Sequence, residues 1–152
     1  MGMEIERKFK LKSSAILEGL TGSHFLQSYL GKGAVLTRVR ISGNQAWLTL
    51  KGKPMSALSR PEWEYPIPVV DAQDMAKQPG AYGLDKTRYF IEHECHTFEV
   101  DQYHGSLEGL YTVEVEIDSE TTMVHLPDWV GDEVTGNRAW DNESLAKNGW
   151  PT

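Results

Sequence analysis

Seven short segments of the chain carry charged residues at strict two-residue intervals. Glu4, Glu6 and Lys8 recur in MEIERKF, Arg38 and Arg40 in TRVRI, and Lys51 follows Trp47 and Thr49 in AWLTLKG. Arg60, Glu62 and Glu64 line up in SRPEWEY, Lys86 and Arg88 in DKTRYFI, Glu99 and Asp101 in FEVDQY, and Glu114 and Glu116 in TVEVEI. With Lys10 added, these rows hold eight acids and eight bases. Like charges two apart on one strand face repel, an odd choice for a plain surface. They make sense if something else neutralises them. Carboxylate pairs suit a hard divalent cation, and rows of arginine and lysine suit phosphate oxygens.

The element that aligns every second residue is a β-strand. The intervening positions are mostly apolar, with Ile5 and Phe9 beside Arg7, Val39 and Ile41, Leu48 and Leu50, Trp63 and Tyr65, Tyr89 and Ile91, Phe98 and Val100, and Val113 and Val115. SGN, GKP and PGAYG supply turn signals between several of the segments. Helices are few. SSAILEGL starts at a serine cap and is expected to bury Ile16, Leu17 and Leu20; DAQDMAK starts at Asp71 and stops before Pro79-Gly80; DNESLAKNG runs from Asp141 or Asn142 to Gly149. The expected fold class is therefore mainly β, with about eight antiparallel strands in a closed barrel or strongly curled sheet and a few short helices.

The 152 residues, 39% hydrophobic and 24% charged, fit one globular domain over 1–152. A net charge of −7 argues against nucleic-acid binding, but a local basic cluster can still hold a small anion. No apolar run approaches membrane-spanning length, so no membrane association is expected. The single cysteine, Cys95, reads as a reduced structural thiol in a cytoplasmic protein. His93, Cys95 and His96 lack the second ligand pair of a zinc site and fall where a hairpin should turn. GKGAV and PGAYG lack the Lys-Ser/Thr ending of a phosphate-binding loop. Trp47 shares the charged face, where it could make a minor ligand contact, whereas Trp63 and Trp129 belong outside.

EIERKF resembles the Glu-x-Glu-x-Lys signature of the CYTH superfamily, the triphosphate tunnel metalloenzymes. TRVR, TLKG, SRPEWE, DKTRY, FEVD and VEVE are similar, in order, to the later tunnel strands of that family. LPDWVGDEVTGNRAWDNESLA is similar to the closing segment of its small bacterial members, so the resemblance spans Glu4 to about Ala146. It implies an eight-stranded antiparallel barrel around a charged tunnel, with helices packed outside. It also implies Mg²⁺- or Mn²⁺-dependent hydrolysis of a small anionic triphosphate, foremost inorganic tripolyphosphate to pyrophosphate and phosphate. The same scaffold serves class IV adenylate cyclases and nucleoside or thiamine triphosphatases. A polyphosphate- or nucleotide-binding module is the non-enzymatic alternative.

By position, the resemblance assigns metal binding to Glu4 and Glu6, with Glu114 and Glu116 across the tunnel, and further metal or supporting roles to Glu62, Glu64 and Asp101. It assigns the phosphate clamp to Lys8, Arg38, Arg40, Lys51, Arg60, Lys86 and Arg88. Lys8, Lys86 and Glu116 are expected in the chemical step, and Tyr29 beside Lys8. One departure is NRAW, where Trp140 stands at a position at which relatives often carry tyrosine after a basic residue. With the interior given over to charge, the apolar outer faces need helices or a second copy of the chain to cover them, which makes a homodimer one expectation.

Overall fold

The computed structural model describes residues 2–152. Nine strands form one antiparallel sheet: β1 (Met3–Leu11), β2 (Ser23–Lys32), β3 (Leu36–Ser42), β4 (Gln45–Lys51), β5 (Ser59–Ile67), β6 (Tyr82–His93), β7 (His96–Tyr103), β8 (Tyr111–Glu116) and β9 (Val130–Glu133). Their order is β5-β4-β3-β2-β6-β7-β8-β1-β9, and a further β5–β1 pairing closes the first eight into a barrel. Closure needs β1 to serve two neighbours along one edge. Its first residues pair with β5 (Glu4 opposite Arg60), and its last pair with β9 (Leu11 opposite Val130). The other edge pairs with β8, from Glu6 opposite Glu116 to Phe9 opposite Val113.

The alternating pattern sends charge inward and apolar side chains outward, so the cores lie between the barrel wall and what covers it. Phe9, Phe98, Val100, Val113 and Val115 form one core under Leu17, Val130 and Trp129. Trp129 meets Phe98 edge-on at 5.7 Å. Val39 and Ala46 form a second core beneath Ala72 of α1 (Val69–Ala76). A third core (Tyr103, Leu107, Leu110 and Leu145) joins the barrel wall to α2 (Asn142–Asn148).

Some expectations shift. SSAILEGL makes only a single 3-10 turn over Ser14–Leu17; Ser13 caps it, accepting from the Ala15 amide, and Leu20 stays 45% exposed. Gly19 at φ +80° turns the chain away before a longer helix can form. Helix α1 starts two residues earlier than expected, with Pro68 as its N-cap and Asp71 in its first turn. β9 is an extra strand beyond the expected eight. The His93–His96 pair closes a two-residue turn as expected, but Cys95 sits in that turn exposed to solvent and supports no core.

Candidate active site

A cavity of about 890 Å³ runs into the barrel, lined by equal numbers of acidic and basic side chains. Sheet register arranges these charges. Lys8 stands opposite Glu114, Lys51 opposite Glu62, Glu4 opposite Arg60 and Arg88 opposite Asp101. Each is an opposite-charge pair across a ladder, the favourable arrangement on a sheet face. Two pairs break the rule: Glu6 faces Glu116, and Glu99 faces Glu114.

The Glu6–Glu116 pair, joined by Glu4, brings three carboxylates within 4.8 Å of one another. Glu4 is bonded to Lys51 at 3.2 Å, whereas Glu6 and Glu116 have no side-chain partner among the described residues. Burial, and then the charges of Glu114 and Glu4, push the Glu6 carboxyl well above the usual range. Burial and Glu4 also raise Glu116. Carboxylates held together against their own repulsion, with free oxygens, fit a hard divalent cation with oxygen ligands.

Glu114 is placed differently. It accepts from Lys8 at 3.1 Å and from Arg88 at 3.1 Å, and despite its burial these cations hold its carboxyl far below the usual range. It is also on the strand next to Glu6, not across the tunnel, because β8 pairs directly with β1. Glu62 approaches Lys51 at 3.5 Å, and Glu64 accepts from Thr49 at 2.7 Å and from Arg38 at 3.4 Å. Both line the cavity; Glu62 shares Lys51 with Glu4, and neither joins the group of three carboxylates within 4.8 Å.

Asp101 and Lys86 do not line the cavity at all. Both are fully buried, 2.8 Å apart, and Arg88 clamps Asp101 through Nε and a terminal nitrogen at 2.8 and 2.9 Å. Although burial alone would raise it, Arg88 and Lys86 hold Asp101 below the usual carboxylate range. The expected metal role of Asp101, and the expected clamp and chemical roles of Lys86, thus meet a pair sealed in the barrel wall. Lys10 leaves the charged row too. It lies exposed at the irregularity between Phe9 and Leu11, 5.4 Å from the Trp140 ring. Trp47 is half-buried and outside the cavity lining.

The remaining bases face the cavity with spare donors. Arg38 is 4% exposed, and its Nε is a buried nitrogen without a partner among the described residues. A buried, unsatisfied guanidinium N–H asks for an acceptor. Among the described residues Arg40 has no carboxylate within ion-pair distance; burial, and then repulsion from Arg38 and Arg88, lower it to about 10. Burial weakens the ammonium of Lys51 but Glu4 outweighs it, so Lys51 is raised. Lys8 uses two of its three N–H donors, on Glu114 and on the Trp140 carbonyl at 2.9 Å. That bond explains how the chain tolerates tryptophan in NRAW: the closing segment engages the site through its backbone. Arg60 spends two donors on the Gly52 carbonyl, at 3.1 and 2.8 Å.

Glu99, which the sequence places on a charged face without a role, and Gln27, which it does not single out, also belong to the site. Glu99 lines the cavity beside Arg88 at 3.2 Å, and burial raises its carboxyl to about 7. Gln27, fully buried on β2, accepts from Arg40 Nε at 3.1 Å and donates to the Tyr29 hydroxyl at 3.2 Å. A single glutamine inside an otherwise apolar and polar strand gives no periodic signal.

Comparison with known proteins places this geometry. The CYTH domain family model matches residues 2–144. An inorganic triphosphatase of Acetivibrio thermocellus is 36% identical, over 97% of this chain and 96% of its own. An inorganic triphosphatase of Nitrosomonas europaea is 33% identical, over 94% and 96%. Among solved structures, that of the inorganic triphosphatase NE1496 superposes with a TM-score of 0.65 at 32% identity, covering 94% of this chain and 97% of its own.

Proposed function

Because this chain belongs to the CYTH domain family, we propose that it is a divalent-cation-dependent triphosphatase that hydrolyses inorganic tripolyphosphate to pyrophosphate and phosphate. The observation that carries this reading is the division of the cavity wall. Glu4, Glu6 and Glu116 gather on one side, while Arg38 and Arg40 keep donors that no carboxylate among the described residues fully satisfies. A linear polyanion with a bound cation is the ligand that answers both demands.

In this reading the arginines and Lys51 grip phosphate oxygens by charge-assisted hydrogen bonds, and the rigid barrel aligns the chain of phosphates for in-line attack. Mg²⁺ or Mn²⁺ held by Glu4, Glu6 and Glu116 would neutralise phosphate charge and polarise the phosphoryl oxygens. Lys8, fixed by Glu114 and the Trp140 carbonyl, keeps one N–H for a substrate oxygen and stays protonated throughout. Glu99, half-titrated near neutrality, is the cavity group suited to take a proton from the attacking water. Lys86 lacks that access, being sealed against Asp101.

The test is a panel of tripolyphosphate, ATP and thiamine triphosphate with Mg²⁺ or Mn²⁺, following released phosphate and cyclic AMP together. Tripolyphosphate is expected to turn over best. Cyclic AMP formed from ATP faster than phosphate from tripolyphosphate would replace the assignment with a cyclase.

A further inference from the structure

Arg40 is unlike the other cavity arginines. Arg38 and Arg88 have carboxylate partners, and Arg60 is tied to the Gly52 carbonyl. In the sheet Arg40 stands between Gln27 on β2 and Trp47 on β4, with no acid directly opposite on either side. Its guanidinium rests 5.0 Å from the Phe25 ring centre, and its Nε donates to the Gln27 side chain.

This contact fixes the orientation of the glutamine amide. An arginine Nε can only donate, so Gln27 must present Oε1 to it, leaving its NH₂ group for the Tyr29 oxygen. Tyr29 therefore accepts from Gln27, and its own O–H hydrogen is left without an acceptor among the described residues. Tyr29 is 2% exposed and lines the cavity beside Arg38, its partner across the ladder. Behind it β6 approaches the β2 backbone closely: a Cβ on Gly83 would lie 2.3 Å from the Gln27 main-chain carbonyl oxygen.

We propose that Gln27 is a positioning residue that holds Arg40 uncompensated and turns the Tyr29 hydroxyl proton into the cavity, so that both donate to the same anionic substrate. A carboxylate at this position would do neither. It would neutralise Arg40, and because it accepts only, it would draw the Tyr29 proton to itself. The neutral amide is what leaves one full positive charge and one hydroxyl donor for the ligand.

The inference rests on the triphosphatase reading, and the experiment separates the two. Binding of tripolyphosphate is measured by calorimetry in a chelator, and turnover with Mg²⁺, for wild type, Gln27→Glu, Gln27→Leu, Tyr29→Phe and the Gln27→Glu/Tyr29→Phe double variant. Losing one charge-assisted contact should weaken binding by about tenfold or more in Gln27→Glu. KM should rise more than kcat falls, with the thermal midpoint kept or raised because Arg40 gains a partner. Tyr29→Phe should weaken binding in wild type but add nothing in the Gln27→Glu background. Gln27→Glu binding as tightly as wild type, or Tyr29→Phe costing the same in both backgrounds, overturns the positioning role. If Gln27→Leu does not fold, the Gln27→Glu and Tyr29→Phe pair still decides. Wild type that binds tripolyphosphate without hydrolysing it sinks the triphosphatase reading alone, and wild type that does not bind it sinks both.

Discussion

Glu6→Gln is expected to change the protein's stability in opposite directions with and without a divalent cation. Glu4, Glu6 and Glu116 offer oxygens within 4.8 Å of one another. Two unit charges at that distance repel by roughly 3.5 kcal/mol at an effective dielectric of about 20. Lys51 on Glu4 and the nearby Lys8 offset much of this. A net gain on the order of 1 kcal/mol for Glu6→Gln remains, which is about 2–4 °C in thermal midpoint for a domain of this size. With Mg²⁺ at about a hundred times its dissociation constant, wild type should gain about 2.7 kcal/mol and overtake the variant, whose trio has lost a ligand charge. The assay is a set of thermal melts at pH 8 in chelator and in a Mg²⁺ series. A variant that melts below wild type in chelator, or a wild type that ignores Mg²⁺ and Mn²⁺, would refute a metal role for the trio.

Asp101→Asn should lower the thermal midpoint by on the order of 10 °C, because breaking a buried ion pair costs about 3–5 kcal/mol and here strands both Lys86 and Arg88. An unchanged melt would mean the pair is not sealed as described. Glu99, raised to about 7, should give turnover a limb that rises with pH through about 7, and Glu99→Gln should flatten that limb while slowing turnover by about a hundredfold or more. Glu99 binds its proton more tightly folded than unfolded, so its share of stability is present at low pH and lost as pH rises from about 4.5 through about 7. Stability curves of wild type and Glu99→Gln over that interval check the sign. Arg40→Ala should weaken tripolyphosphate binding by about tenfold or more and leave the ligand-free melt unchanged or higher, since Arg38 and Arg88 lose a like charge. Unchanged kinetics would place the phosphate site elsewhere.

What the sequence makes legible is the face on which each side chain lies. Period two is a local property of the strand, so EIERK, TRVR and VEVE announce a shared charged face before any strand is paired, and the family resemblance implies that this face points inward. The same alternation puts Phe9, Val39 and Val115 on the opposite face, and the cores under α1 and the 3-10 turn are found there, outside the barrel. β9 stays hidden because VGDE is four residues long with a glycine inside, too short for a periodic signal. Its existence depends on β1 outrunning β5, which is a fact of pairing and not of pattern.

Pairing also decides which charges are spent and which are available. Read alone, Glu114 and Glu116 are equivalent members of one Glu-x-Glu pair. Antiparallel register against β1 gives Glu114 the ammonium of Lys8 and gives Glu116 the carboxyl of Glu6. One therefore becomes a satisfied counter-ion and the other a carboxylate in need of a cation. Asp101 and Glu99 part in the same way: Arg88 and Lys86 enclose the first, while the second faces Glu114 across the ladder and takes up a proton near neutrality. Arg38 and Arg40, two residues apart, are divided by what lies beside them, Thr49 and Glu64 for one, Gln27 and Phe25 for the other. A shift of β8 by two residues along β1 would keep every side chain on its face, yet put Glu114 beside Glu6 and leave Lys8 facing Thr112. The cavity would have the same composition and a different chemistry. In a closed barrel that slip would change the stagger of the whole sheet, so the strand that carries Glu4, Glu6 and Lys8 is also the one whose pairing assigns them their work.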